Sequence, residues 1–363
     1  MPEWLNGPHS KCGMPETASE VRILPLPSLV VINMSKSKTI LVTGCAGFIG
    51  SNFVEKFSAE GGSASGGKKE FPKTRIIGID NFSTGRRDAV AKDMAFYEGS
   101  ITDEKLLDKI FRKYKPEYVF HFAAVPRVAY SVEHPAKTTF DNIYGTVLLL
   151  EKSRDHKIKR FIYSSSSSVY GGAKILPTTE NENPPNPISP YGLEKYVGEP
   201  FCKIASDLYG LDTVSLRYFN VFGPGQYGDS PYATVITSWL TGLYFSEKKK
   251  PFLEWDGRQS RDFCYVDNVV DANILAMKSK KLLKGEAFNI AHGERTDLLT
   301  VKNLIEKYTG KKLNLEKRPP RLGDVRHTHA DISKAGKWLG YRPRIDFEAG
   351  LRRTIEWFKS RTR

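Results

Sequence analysis

Three observations predict an α/β fold, a doubly wound parallel sheet followed by a smaller mixed α/β C-terminal lobe that binds substrate. First, a short apolar strand, Lys38 to Val42, passes through Thr43-Gly44-Cys45-Ala46-Gly47-Phe48-Ile49-Gly50 into an amphipathic helix reaching about Phe57. Second, strand and helix patterns then alternate, with Arg75–Ile79, Tyr118–Phe122 and Arg160–Ser164 reading as buried strands and about 103–114 and 135–155 as helices. Parallel neighbours need crossover helices, so such alternation marks a parallel sheet covered on both faces. Third, 363 residues, 40% of them hydrophobic, are enough for one large or two moderate domains with a real core.

The expected division is a disordered extension over 1–37, a sheet domain over 38–217 plus about 259–291, and a lobe over about 218–258 plus 292–363. The extension carries Pro, Gly and Ser without periodicity, and Met34 stands just ahead of the first strand. A linker-like insertion, Gly61 to Lys69, reads as a surface loop.

Composition excludes several classes. No stretch approaches the roughly 20 apolar residues that span a bilayer, and the start of the chain lacks the charge pattern of a signal peptide. The four cysteines, Cys12, Cys45, Cys202 and Cys264, form no Cys-x-x-Cys pair and read as reduced thiols of a cytoplasmic protein. His327 and His329 have no nearby acid or cysteine to complete a metal site, so no metal is expected. A net charge of +14 fits nucleic acid, an acidic surface or an anionic small substrate, but no aromatic-interleaved RNA-binding motif accompanies it.

Gly44, Gly47 and Gly50 supply a tight turn, close approach of backbone to a pyrophosphate, and close helix packing, with the helix N-terminus facing the phosphates. Their spacing departs by one residue from Gly-x-Gly-x-x-Gly and alone fits a plain glycine-rich turn equally well. The second strand adds context by ending at Asp80, where an acid accepts hydrogen bonds from ribose hydroxyls and disfavours a 2′-phosphate. NAD is therefore expected over NADP. Ala123 and Ala124, at the end of another strand, are small enough to let a dinucleotide pass.

The strand at 160–164 delivers five serines, Ser164 to Ser168, to the same edge. Tyr191 and Lys195 follow at i, i+4 and share one face of a helix running to about Tyr209. Tyr170 and Lys174 have the same spacing, but Gly171 and Gly172 between them argue for a turn. Ser166, Tyr191 and Lys195 form a candidate relay that takes a proton from an alcohol and returns it.

In this order, these motifs resemble the extended short-chain dehydrogenase/reductase family, more narrowly its nucleotide-sugar 4-epimerases. The likeness runs from about Lys38 to about Glu356 and also rests on His121 to Ala124, Leu216 to Asn220, Arg261-Asp262-Phe263 and Arg321 to Arg326. It implies a Rossmann-type domain with Ser166 as catalytic hydroxyl, Tyr191 as acid/base, and Lys195 as its electrostatic partner and ribose contact. Besides the residues already named, Phe48, Ile49, Asn81, Ser83, Gly85, Ser100 and Ile101 are implied at the cofactor. Ser100 stands where relatives often carry an acid that contacts adenine. Arg127, Asn220, Arg261, Arg321, Asp324 and Thr328 are implied at the UDP-sugar, and a homodimer through about 136–155 and 191–209 is expected, in polysaccharide biosynthesis.

The chemistry then expected is transfer of the sugar 4-OH proton to a tyrosinate whose pKa is lowered by Lys195 and oxidised nicotinamide, while hydride leaves C4. Return of hydride to the opposite face of the 4-keto sugar inverts C4. Ser167 and Ser168 stand where dehydratases carry acids, which favours simple epimerisation. The modest size of Thr328 favours UDP-N-acetylglucosamine/UDP-N-acetylgalactosamine, with UDP-glucose/UDP-galactose also accepted. Two other readings stay open: a UDP-glucuronate 4-epimerase or decarboxylase using Arg127 for the carboxylate, and a non-catalytic NAD-fold or RNA-binding protein.

Overall fold

The computed structural model describes residues 38–60, 74–228, 234–245, 250–319 and 325–361. The expected extension, the 61–69 insertion, Lys248, Lys249, Arg321 and Asp324 lie outside these described residues. Along the chain run β1 (Thr39–Thr43), α1 (Phe48–Glu60), β2 (Arg75–Asp80), β3 (Ala95–Glu98), α2 (Glu104–Tyr114), β4 (Tyr118–His121), α3 (Val128–Glu133) and α4 (Pro135–Thr139). A π-helical turn (Phe140–Tyr144), α5 (Gly145–Asp155), β5 (Arg160–Ser166), a 3-10 turn (Ser167–Tyr170), α6 (Pro190–Tyr209) and β6 (Thr213–Tyr218) follow.

These strands and β11 (Glu286–Ile290) form one seven-stranded sheet in the order β11-β6-β5-β4-β1-β2-β3, every pairing parallel. The order reverses between β1 and β4, and the crevice beyond the C-terminal ends of those strands is where such sheets bind ligands. The doubly wound architecture expected from the sequence is the one observed. One face buries Phe53, Phe57, Phe120 and Phe288, the other Leu107, Phe111, Leu149 and Phe161, so helices cover both sides.

The remaining elements are β7 (Val221–Phe222), α7 (Val235–Tyr244), β8 (Phe252–Glu254), β9 (Ser260–Arg261), β10 (Cys264–Tyr265), α8 (Val266–Lys278), β12 (Thr296–Asp297), α9 (Leu298–Thr309), β13 (Glu316–Arg318), α10 (Ser333–Leu339) and α11 (Phe347–Ser360). Three two-stranded ladders, β10-β7, β12-β9 and β13-β8, accompany a third core around Trp239, Phe263, Leu298, Leu351 and Phe358. Among the described residues no helix is long and apolar enough to cross a membrane.

Two local expectations need correction. The helix expected over 135–155 is interrupted by the π turn, because Asn142 turns its amide onto both backbone groups of Val125, accepting from its N–H at 2.7 Å and donating to its carbonyl at 3.2 Å. The strand expected to stop at Ser164 continues to Ser166, which pairs with Tyr218 of β6. Strands β3, β6 and β11 have no counterpart in the expected strands.

At the opposite end of the sheet from the crevice, Arg160 is buried against Asp212 at 2.6 Å and donates to the carbonyls of Ala276, Ser279 and Lys281. Asp212 in turn accepts from the N–H groups of Leu283 and Lys284 at 2.7 and 2.9 Å. Arg160→Met would strand that carboxylate and three carbonyls, and is expected to lower the unfolding free energy by about 3–5 kcal/mol in denaturant titration.

Candidate active site

Gly44 begins the turn after β1 with φ +68°, and a Cβ there would come within 2.6 Å of the Ala123 nitrogen. A Cβ on Gly50 would come within 2.1 Å of the Gly44 oxygen. Backbone therefore lies directly on backbone, and only glycine permits the approach. Asp80, at the end of β2, accepts from Ala46 N–H at 2.9 Å and Phe82 N–H at 2.8 Å. Burial raises its pKa, and these hydrogen bonds oppose the rise.

A cleft of about 1570 Å3 opens over these groups. Its walls include Gly44, Gly47, Phe48, Ile49, Gly50, Asp80, Asn81, Ser83, Gly85, Ser100, Ile101, Ala123, Ala124 and Tyr191, the set expected at the cofactor apart from Lys195, together with Ser166. Ser100 is engaged locally, its Oγ lying 2.8 Å from Thr102 Oγ1. A glycine-lined floor at a helix N-terminus, with a buried carboxylate at one end, fits a dinucleotide with free ribose hydroxyls and repels a 2′-phosphate.

A smaller cavity of about 320 Å3 shares the Arg127, Ser167, Ser168 and Asn220 wall and extends to Trp239, Phe252, Gln259, Arg261 and Thr328. Asn220 Nδ2 donates to Thr328 Oγ1 at 2.8 Å, and the same oxygen accepts from Asp262 N–H at 3.1 Å. Thr328 is thus a tied wall residue. Arg261 donates to the Arg326 carbonyl at 2.9 Å. His327 is held below its ordinary pKa, first by burial and then by Arg295, Arg326 and Arg261, which marks a positive field at this wall. Its Nδ1 lies 2.9 Å from Ser260 Oγ, and His329 Nε2 lies 3.0 Å from the Gly293 oxygen.

On the wall of the larger cleft, Ser166 ends β5 and Tyr191 lies in the first turn of α6. Ser189 caps that helix by accepting from Gly192 N–H at 3.1 Å, and Pro190 occupies its first turn. Burial pushes the Tyr191 phenol up to about 12, while a hydrogen bond with Ser166 pulls it down. Burial also pulls Lys195 down to about 8. The Lys195 ammonium donates to the Ser164 carbonyl at 2.8 Å and stands over the Tyr163 ring at 5.1 Å, behind the cavity wall. The expected lowering of the phenol by Lys195 is not met by the protein alone, because burial dominates.

Sequence reasoning missed the groups that hold this centre. Thr146 Oγ1 donates to the Asn142 carbonyl at 2.6 Å, so toward His121 Nε2, 2.8 Å away, it accepts. His121 is therefore protonated at Nε2, and its Nδ1 accepts from Thr43 Oγ1 at 2.8 Å, which itself accepts from Ala123 N–H. Arg217 grips buried Glu199 through two bonds of 2.9 and 2.6 Å and donates to Tyr170 at 2.7 Å, while Ser165 donates to Glu199 at 2.5 Å. Asp262 accepts from the N–H groups of His292, Gly293 and Ala330. The only sequence signal for these groups was their place inside or beside motifs read for other residues.

The pattern of the NAD dependent epimerase/dehydratase family matches residues 40–291. Among solved structures, UDP-glucose 4-epimerase of Thermotoga maritima with UDP-glucose is 38% identical, with a TM-score of 0.81 over 90% of this chain and 100% of that one. UDP-N-acetylglucosamine 4-epimerase of Methanobrevibacter ruminantium in complex with UDP-N-acetylmuramic acid is 33% identical, with a TM-score of 0.80 over 90% and 99%. UDP-glucuronic acid 4-epimerase of Bacillus cereus with UDP-glucuronic acid and NAD is 30% identical, with a TM-score of 0.76 over 89% and 99%.

Burial holds His121 down to about 3, with Lys195 adding to the effect. An unfolded histidine titrates near 6.5, so the stability of its neutral buried form is present above that pH and is lost as pH falls toward 3. Between about pH 6 and 4, unfolding free energy should fall by about 1.4 kcal/mol per pH unit more steeply in the native protein than in His121→Gln, measured by denaturant titration.

Proposed function

The chain belongs to the NAD dependent epimerase/dehydratase family, and from that premise we propose that it inverts C4 of a UDP-sugar, above all in the pair UDP-N-acetylglucosamine/UDP-N-acetylgalactosamine, with UDP-glucose/UDP-galactose also accepted. The observation that carries this reading is the hydrogen-bonded Ser166–Tyr191 pair on the wall of a dinucleotide-sized cleft, next to Ser167 and Ser168, which also line a second cavity, with Lys195 behind it.

Gly44, Gly47, Gly50, Asp80, Ala123 and Ala124 would hold NAD, which supplies the hydride acceptor and, once reduced, the hydride donor. As the phenolate, favoured by the positive charge of Lys195, Tyr191 takes the proton of the sugar 4-OH while Ser166 donates a hydrogen bond to the oxygen losing it and the C4 hydride goes to the acceptor that bound NAD would supply. The same phenol returns its proton when the 4-keto sugar, turned over in the cavity, is reduced on its other face. Ser167 and Ser168 border the site with hydroxyls at the places where dehydratases carry acids, which favours inversion over loss of water from the keto sugar. Asn220 and Arg261, with Arg321 and Asp324, are assigned to the uridine diphosphate; a planar guanidinium matches phosphate oxygens in pairs.

Thr328 lines the smaller cavity with a side chain short enough to leave room for a 2-acetamido group. Arg127 lines both cavities and gives a second reading, UDP-glucuronate as substrate, one cation at hand for one carboxylate. The apolar side chains of Leu208, Tyr209, Phe140 and Leu193 are exposed on the π turn and α6 and fit a homodimer built on those helices.

Purified protein is expected to interconvert UDP-N-acetylglucosamine and UDP-N-acetylgalactosamine, with products resolved by chromatography. Turnover of UDP-glucuronate alone would replace that substrate, and no turnover of any UDP-sugar would overturn the reading. Tyr191→Phe should lose turnover by about 10²–10⁴-fold while keeping its bound NAD. Thr328→Tyr should lose the acetamido substrates more than the plain hexoses, read as the ratio of kcat/KM values. Sedimentation is expected to give a dimer.

A further inference from the structure

One carboxylate is buried between the residues assigned to proton transfer and has no part in the reading above. Glu194, directly before Lys195 and three residues after Tyr191, is 2% exposed. Its Oε1 accepts from the Thr138 hydroxyl at 2.6 Å and the Thr139 hydroxyl at 3.3 Å, and its Oε2 accepts from Asn142 Nδ2 at 2.6 Å. All of these bonds come from α4 and the π turn, and both carboxylate oxygens only accept. A carboxylate enclosed in this way is an anion whose field is hardly screened by water.

We propose that Glu194 is a positioning residue whose buried negative charge keeps Lys195 an ammonium and sets the pH range in which the Tyr191–Lys195 pair works. This rests on the proton-transfer roles proposed above and extends them. The alternative, a structural clamp only, is real, since Glu194 fastens α4 and the π turn onto α6, while Ser131 of α3 accepts from Tyr191 N–H at 3.0 Å.

Among the described residues, the other ionisable groups facing the pair are neutral or paired apart from Asp141, and Glu194 is the buried anion on the same turn of α6 as Tyr191 and Lys195. On β4, His121 is neutral, bridged between Thr43 and Thr146. On β5, Tyr163 is fully buried and pushed well above its ordinary value, first by burial. Further along α6, Glu199 is cancelled by its two bonds to Arg217, and the buried Cys202 thiol is likewise pushed up by burial. In the π turn, Asp141 is raised by burial, Lys137 opposes, and Glu194 adds to the rise. At both members of the pair the influence of Glu194 has the same sign, raising Lys195 against its burial and raising Tyr191 along with its burial.

The test is Glu194→Gln, which keeps the shape and can keep the hydrogen bonds, its carbonyl turned to Asn142 and its amide to the threonine hydroxyls. Removing a nearby negative charge lowers the pKa of a cation and of a phenol alike. Both limbs of the pH–rate profile should therefore move together to lower pH, by about 1 unit. The ultraviolet absorbance of the Tyr191 phenolate in the NAD-loaded protein, isolated by subtracting the spectrum of Tyr191→Phe, should shift the same way. That titration needs no sugar, so it judges Glu194 even if no UDP-sugar is turned over. Glu194→Asp draws the charge back by one methylene and should move both quantities in the same direction by less; it carries the test if the glutamine variant does not fold. A uniform drop in rate with the limbs and the phenolate titration unmoved would leave Glu194 a clamp and overturn the proposal.

Discussion

Lys195 holds a positive charge away from water, and much of the surrounding structure answers to that cost. A buried ammonium survives only if its donors are met and a counter-charge is near. The Ser164 carbonyl supplies the acceptor and the Tyr163 ring an electron-rich face, while the buried Glu194 stands next in the chain. Each comes from an element held by the sheet: β5 brings the first two, and α6 packs across it to bring the third. The π turn exists within this arrangement, since the wide turn is where Asn142 reaches both Val125 and Glu194.

The same reasoning explains why so many polar side chains near the centre are engaged with the protein itself. Ser165, Glu199, Arg217 and Tyr170 form a linked group that continues from the Tyr170 hydroxyl to Asn289, and Asp262 gathers three backbone N–H groups next to Thr328. These groups fix the walls around Asn220 and Thr328. Preorganisation of this kind lets a site act on charge without first rearranging.

Strands β1, β2, β4 and β5 were legible in the sequence because each is an apolar run ending in small or polar residues, as at Thr43-Gly44 and Phe122-Ala123-Ala124. Ser166, Tyr191 and Asp80 were legible because chemistry and spacing coincide in short segments. The interruption at Phe140–Tyr144 was not, since nothing in a helical pattern reveals a turn pulled wide by side-chain bonds to residues 17 and 52 positions away. Strand β3 has a mixed pattern at the sheet edge, where among the described residues one side lacks a partner and the apolar signal fades. Glu194 lay in plain view within Tyr-Gly-Leu-Glu-Lys, but its burial follows from what packs on the helix, which spacing does not carry. Asp324 and Arg321 stand beyond the described residues, so their assignment rests on motif alone.

The bridge from Ala123 through Thr43, His121 and Thr146 to Asn142 begins at a backbone N–H and ends at a backbone carbonyl. Neither end can exchange roles, so every hydrogen in the chain points one way and the whole cannot be reversed. A row of hydroxyls and an imidazole beside a proton-transfer centre looks like a wire, but with both ends locked it is an insulator. In the proposed reaction, a proton taken up by Tyr191 has no exit along this path.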